Sequence, residues 1–212
     1  MSTGLTVSRV DGAVGAAFVR LHHYSKSCRA GAQCYGLYQD GQLAGVIAFF
    51  PPAQVSVRAC VFGSDRYLRV TELHRSICLD AAPRNSESFF VSRALRLFAQ
   101  DNQHIWAVLS YADEWAGHIG TVYQATNAIY TGKSSPHVVY TDQSGKVRAD
   151  KQGAQHISPA RAAKLGWTCH GKQYKHRYLY LLGDRRQKRS SVRMLLLQPQ
   201  PYPKRAVTCN VQ

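Results

Sequence analysis

Short apolar runs separated by turn residues dominate the first quarter of the chain. Cys34–Tyr38 and Leu43–Phe50 are apolar stretches joined through Asp40-Gly41, which predicts a hairpin closed by a tight turn. Pro51 and Pro52 stop its second strand. Residues 68–79 (LRVTELHRSICL) alternate and are rich in β-branched side chains, so they predict a third strand. Residues 105–111 (IWAVLSY) read as a buried strand, VVYTDQSGKVR as a hairpin with Ser144-Gly145 in its turn, and HRYLYLLG as a last strand. Helical patterns fall between them. Residues 12–24 form one, with Asp11 as N-cap. A second starts at Asn85 or Ser86 and places Phe89, Ala94, Leu97 and Phe98 roughly on one face. A short helix ends near Asn127, and another runs from Ser158, its N-cap, through Pro159 to a stop at Gly166. Mostly antiparallel strands with a few helices predict an α+β fold, a central sheet covered by helices on both faces.

The pattern changes at Asp184. DRRQKRSSVRMLLLQPQPYPKR crowds Arg185, Arg186, Lys188, Arg189 and Arg193 together and then turns proline-rich. This divides the chain into a catalytic domain, residues 1–183, and a basic, proline-containing arm, residues 184–212. The arm is expected to be extended, with those five cations touching nucleic-acid phosphates; a poorly ordered tail is the plainer alternative.

Charge sharpens the picture. Lysines and arginines number 27 against 12 acids, a formal charge of +15, and this balance favours a polyanionic partner such as nucleic acid. Apolar residues make up 45% of the 212, enough for a folded core. No apolar run approaches the roughly 18 residues of a membrane helix, and the N-terminus lacks the pattern of a signal peptide. Cys28, Cys34, Cys60, Cys78, Cys169 and Cys209 include no C-x-x-C pair, so reduced thiols are expected rather than a disulfide framework.

Two stretches carry candidate chemistry. RLHHYSKSC, residues 20–28, sets His23 and Tyr24 on a basic background, with His22 facing the other way. VLSYADEWAGHIGTVYQATNAIYTG runs a buried strand into Ser110, Tyr111 and Asp113, then reaches Gly117 and Gly120 at the start of a helix. Free N–H groups at such a place can hold an anion, which makes Ser110, Gly117 and Gly120 candidate cofactor contacts. Asp113, in a chain poor in acids, can bind a metal, accept a proton or pair with a cation. Asn127 is suited simply to ending a helix.

In order, H-H-Y-S, then L-H-R, then N-S-E-S-F, then S-Y-A-D-x-x-x-G-H-x-G-x-x-Y-x-A-x-N-x-x-Y-x-G resembles the Mom family of phage DNA-modification proteins, over roughly residues 14–180. The last block is also similar to the C-terminal half of GNAT acetyltransferases, which implies a GNAT-like, acyl-CoA N-acyltransferase-like fold. The resemblance implies conversion of adenine in double-stranded DNA to N6-carbamoylmethyl adenine, protection of phage DNA from restriction, a location in the cytoplasm of the bacterial host, and iron as a cofactor. Matched motif by motif, the implied catalytic residues are Tyr24, Arg75, Ser88, Asp113 and Tyr123. His23, Tyr24 and Asp113 would form a nitrogen and oxygen ligand set suited to iron, provided the helix ends at His23. The other reading of His23 and Tyr24 is that they stack on or hydrogen-bond a base, and the plainest is a surface turn. Adenine N6 is a poor nucleophile, so the base has to leave the stack, where Tyr24, Tyr111, Tyr123 and nearby Trp115 can hold it.

The chain departs from GNAT enzymes before the helix at residue 86. They carry a glycine-rich pyrophosphate loop there, and this chain reads D-A-A-P-R-N-S-E-S. Without glycine the backbone stands further from a pyrophosphate, which argues against acetyl-CoA. The donor stays open between acyl and amino-acid-derived compounds. Two rival functions follow from the same residues: an N-acetyltransferase acting on another amine, and a nucleic-acid-binding protein without catalysis. The oligomeric state has no signature in the sequence.

Overall fold

The computed structural model describes residues 4–148, 151–152 and 155–204. Its elements in order are β1 (Leu5–Val10), α1 (Gly12–His22), β2 (Gln33–Gln39), β3 (Gln42–Phe50), α2 (Val55–Phe62), β4 (Val70–Cys78), α3 (Ser86–Asp101), β5 (Ala107–Asp113), α4 (Thr121–Ala125), β6 (Ile129–Lys133), β7 (His137–Thr141), β8 (Val147–Arg148), β9 (Lys151–Gln152), β10 (Gln155–His156), α5 (Pro159–Lys164), β11 (Thr168–Gln173), β12 (Lys175–Leu181) and α6 (Arg185–Arg193). The main sheet has the order β1-β2-β3-β4-β5-β12-β6. Its pairs are antiparallel except β4 with β5. The expected α+β architecture with helices on both faces is present.

Local chemistry explains most boundaries. The Asp11 carboxylate accepts the backbone N–H groups of Ala13 at 2.8 Å and Val14 at 3.2 Å, so α1 starts there. Asp40 and Gly41 both have positive φ, 50° and 82°, the geometry of a two-residue hairpin turn. Ser158 caps α5 by accepting from Arg161 N–H at 3.2 Å, with Pro159 at the first position. Asn127, at φ 59°, ends the segment after α4. The elements β1, α2, β9, β10 and β11 lay outside the sequence pattern, as did α6. β1 alternates only briefly, with Leu5 and Val7 half-buried between Thr6 and Ser8, and α2 buries only Val61 and Phe62, so both patterns are too short to stand out. The buried face of α3 is Phe90, Val91, Ala94, Leu95 and Phe98, not the Phe89, Ala94, Leu97 and Phe98 expected, because Phe90 and Phe98 point at the sheet. Phe98 stacks on Phe49 with ring centroids 4.2 Å apart, while Phe89 and Leu97 sit half-buried on the flank. Asn85 precedes α3 in the left-handed region, with no side-chain cap bond.

The core has layers on each side of the sheet. Phe90, Phe98, Tyr123 and Tyr178 belong to the α3 and α4 side. Val19 of α1 meets Cys34, Val46 and Ala48, and Val61 and Phe62 of α2 meet Val70 and Leu179.

The C-terminal segment is not the extended arm expected from its composition. Residues 185–193 form α6, opened by a reciprocal cap in which Asp184 and Gln187 bond each other's backbone N–H groups. Met194, Leu195 and Leu197 then pack on the α2 cluster, Leu196 N–H donates to the Val61 carbonyl at 2.9 Å, and Tyr202 donates to the Ala128 carbonyl at 2.7 Å. The apolar run after the cations explains the difference: it has a core to join. Residues 205–212, including Cys209, lie outside the described residues. The five described cysteines are free thiols.

Residues 134–174 form a lobe inserted between β6 and β12. Its described residues hold a sheet of order β11-β7-β8, the β9–β10 pair, and α5, whose Ala162 packs on Tyr140 and Ile157. Among the described residues no helix is long and apolar enough to cross a membrane.

Candidate active site

β4 and β5 run side by side from Val70–Ala107 to Leu73–Ser110 and then part. On the other side of β4, Ala48 pairs with Arg75 and Phe49 with Leu73, which makes His74 an extra residue, a β-bulge beside the opening. Both features come from parallel strands that no longer hold each other. The gap between them is a cleft of about 380 Å³. Its walls include Glu72, Arg75, Tyr111, Asp113 and Tyr123, with His23 and Tyr24 at one side. A larger hollow of about 820 Å³ lies between α3 and α6, around Arg96, Trp106 and Lys188. It gathers no carboxylate or imidazole, so the smaller cleft is the candidate site.

The helix does end at His23: its backbone is extended there, and Lys26 at φ 48° turns the chain. The buried His23 ring accepts the Ser25 backbone N–H on Nδ1 at 3.1 Å, with the Ser25 hydroxyl 2.9 Å from the same atom. An accepted N–H leaves Nδ1 bare, so the neutral ring carries its proton on Nε2. Burial, then the nearby Arg75 charge, lower the His23 pKa to about 4. Tyr24 stacks on His23, centroids 4.3 Å apart at 29°, yet is 55% exposed. Its phenol is pushed up by burial and by the Asp113 carboxylate. His22 turns away and meets Phe18 instead.

Arg75 donates to the Ser27 carbonyl at 2.8 Å, the Ser27 hydroxyl at 3.0 Å and the His74 carbonyl at 2.6 Å. Its fork therefore fastens the loop after α1 to the cleft wall. Asp113 accepts the Trp115 N–H at 3.2 Å and lies 3.4 Å from Lys175 Nζ. Glu72 is different. The ionisable side chain beside it is His74, whose Nδ1 lies 3.9 Å away, too far for a hydrogen bond, and no described residue donates to it. Tyr123 is buried beneath, its phenol raised chiefly by burial.

The expected residues divide. His23, Tyr24, Arg75, Asp113, Tyr123, Gly117 and Gly120 all line the cleft. Ser110 does not: it sits where β4 and β5 still pair, fully buried, its hydroxyl without a partner among the described residues. Ser88 lines a neighbouring hollow of about 410 Å³ that shares Glu87, Thr121 and Val122 with the cleft, and its hydroxyl donates to the Asn85 carbonyl at 3.0 Å. Asp80 and Glu87 give that hollow, at the start of α3, an acidic lining unsuited to a pyrophosphate. Gly117 closes the turn Glu114–Ala116 at φ 74°, and Gly120, at φ 75°, lies so close to the Tyr178 ring that a side chain would collide. Their glycines serve the turn and the packing. Glu72 escaped the sequence reading, although the rule applied to Asp113, an acid in an apolar strand of an acid-poor chain, would have found it.

The residues do not fit the expected iron. Among the described residues no three His, Cys, Asp or Glu side chains gather as metal ligands. His23 Nδ1 is engaged by Ser25, the His23 and Tyr24 rings lie over one another rather than converging, and Asp113 is held by Trp115 and Lys175. The cations Arg185, Arg186, Lys188, Arg189 and Arg193 sit on α6, beyond the opposite end of β12 from the cleft.

A model of the Mom protein family matches residues 4–204. The chain is 30% identical to the methylcarbamoylase Mom of Escherichia phage Mu, over 96% of this chain and 85% of that protein. Among solved structures, the ribosomal-protein-S18-alanine N-acetyltransferase from Escherichia coli matches with a TM-score of 0.50 at 7% identity, over 85% of this chain and 97% of that one. A GNAT-family acetyltransferase from Streptococcus pneumoniae matches with a TM-score of 0.48 at 9% identity, over 84% and 99%. At 7% identity the likeness to the first of these shows a shared fold, that of the GNAT acetyltransferases.

Proposed function

The chain belongs to the Mom protein family, and on that premise we propose that it is a transferase that modifies adenine in double-stranded DNA at N6, leaving a carbamoylmethyl group. The observation that carries this reading is the cleft itself: an exposed Tyr24 stacked on the buried His23 at its mouth and an unbonded Glu72 carboxylate within. A base turned out of the duplex stacks on Tyr24, which has one ring face on His23 and is half open to solvent. As N6 forms its bond to the donor carbon, the bond from that carbon to the donor's leaving group breaks, the leaving group departs with the electron pair, and N6 loses one of its two protons. Glu72 is placed to receive that proton because nothing else occupies its oxygens. Asp113 keeps Lys175 and the turn at Trp115 in place at the rim. The Arg75 N–H groups not spent on Ser27 and His74 are available to a donor carboxylate or to a phosphate. The α6 cations supply further phosphate contacts away from the cleft. The acidic hollow at α3 disfavours acetyl-CoA as donor.

The test is a nucleoside digest of plasmid DNA from bacteria expressing the protein. Mass spectrometry is expected to show an adenosine species heavier by one carbamoylmethyl group, absent with Glu72→Gln. Unmodified DNA from folded protein that binds coenzyme A would turn the reading to an acetyltransferase of another amine.

A further inference from the structure

We infer that the lobe of residues 134–174 is the surface that grips duplex DNA beside the cleft; this rests on the DNA-modifying reading above. Its two stems leave the sheet at the cleft. β6 ends at Lys133, β12 begins at Lys175, and Lys175 pairs with Asp113 on the cleft wall. Reciprocal bonds between Ser134 and Lys175, at 2.8 and 3.1 Å, tie the stems together. The lobe is also fastened to the turn that follows Asp113: the His170 ring lies 4.3 Å from Trp115, and Lys133 bridges Glu114 at 2.8 Å. With its own core of Tyr140, Ile157 and Ala162, it is a preformed wing on the rim.

Its charge suits a polyanion. From Lys133 to Lys175 there are eight lysines and arginines (133, 146, 148, 151, 161, 164, 172, 175) against two aspartates (142, 150). Asp142 is spent internally, on Arg148 and on the N–H groups of Ser144 and Lys146. Lys146, Lys164 and Lys172 are exposed, and no carboxylate among the described residues pairs with them. Lys172 lies on β11, an edge strand whose outward backbone N–H groups can also meet phosphates. Beside it, Tyr174 is 38% exposed under the Lys133 ammonium, at the cleft's edge.

Position separates this surface from α6. The seven residues of β12 set α6 about 20 Å from Lys175, at a rise of roughly 3.3 Å per residue. A duplex presenting a base to the cleft lies against the lobe first.

The experiment measures anisotropy of a labelled short duplex across a salt titration, using the full chain, the triple variant Lys146→Gln/Lys164→Gln/Lys172→Gln, and Arg186→Gln/Arg189→Gln on α6. Three lost phosphate contacts should flatten the salt slope by about 3 and weaken binding on the order of a hundredfold near 0.1 M salt. Plasmid modification should fall with it, while urea unfolding stays at the wild-type midpoint. Wild-type affinity and slope in the lobe variant, or a larger loss in the α6 variant, overturns the inference while leaving the DNA-modifying reading intact. A wild-type protein that neither binds duplex nor modifies plasmid sinks that reading first.

Discussion

Acid should loosen this fold through His23, and the size of the effect can be worked out. Desolvation, then the charge of Arg75 and its neighbours His74, His118 and Lys26, hold the folded-state pKa at about 4, against 6.5 for an exposed imidazole. Between those values the unfolded chain holds a proton that the folded chain refuses. Stability supplied by the neutral ring is therefore complete above about 6.5 and is lost as pH falls toward 4. At 1.36 kcal/mol per pKa unit, His23 alone lowers stability by about 2 kcal/mol between pH 8 and pH 5. The assay is urea unfolding of the wild type and His23→Gln across that range. Other titrating groups, including His176, whose pKa burial also lowers, act in both proteins and cancel in the difference. The wild type should lose its margin over the variant by about 2 kcal/mol on going to pH 5. A difference that stays flat with pH would mean that His23 titrates like a surface histidine. The bare Nδ1, the Ser25 bond and the buried stack under Tyr24 would then all be misread.

Glu72→Gln should cut the rate of DNA modification by roughly 10²–10⁴-fold with the urea midpoint unchanged, and Asp113→Asn should cut it less; equal losses would remove the distinction between them. Gly45→Ala should destabilise by about 1–3 kcal/mol, read from urea unfolding, because its Cβ would stand 2.8 Å from the Ile77 carbonyl and 3.2 Å from Phe90. Phe98→Ala, which empties the stack on Phe49, should cost about 3–5 kcal/mol in the same measurement. Arg75→Lys keeps the charge but cannot hold both oxygens of Ser27; duplex modification should drop while stability falls by only about 1 kcal/mol.

Where the sequence was legible, a local rule was sufficient. Asp40-Gly41, Asp11 and Ser158-Pro159 each state their own geometry, so the hairpin and two helix starts could be placed without tertiary information. The α3 face was misplaced because Phe89 and Phe90 are equally apolar, and only the sheet decides which of them is buried. Composition misled at the tail. Five cations near residue 190 suggest a solvated arm, yet the three apolar residues Met194, Leu195 and Leu197 are enough to draw the chain back onto α2. The motif residues were recognisable one by one, but which of them share a cleft was not. Ser110 and Asp113 are three residues apart, and one lies below the parting of β4 and β5 while the other lies above it.

That parting connects the fold to the chemistry. A parallel pair inside an otherwise antiparallel sheet is joined by α3 rather than by a tight turn, so nothing holds its far ends together. Backbone groups released there would be unsatisfied in a closed core. Here the bulge at His74 and the turn at Glu114–Ala116 bend both strands aside instead, so that Asp113 lies past the parting, while Glu72, still paired opposite Leu109 on β4, lines the same opening. The inserted lobe then grows from the same end of β12 that carries Lys175. The separation of two strands after Leu73 and Ser110 thus brings Asp113, the stacked rings and the basic wing into one neighbourhood beside Glu72, the acid just before the parting. A protein that must hold a polyanion while working on a single base extracted from it needs all three in one place.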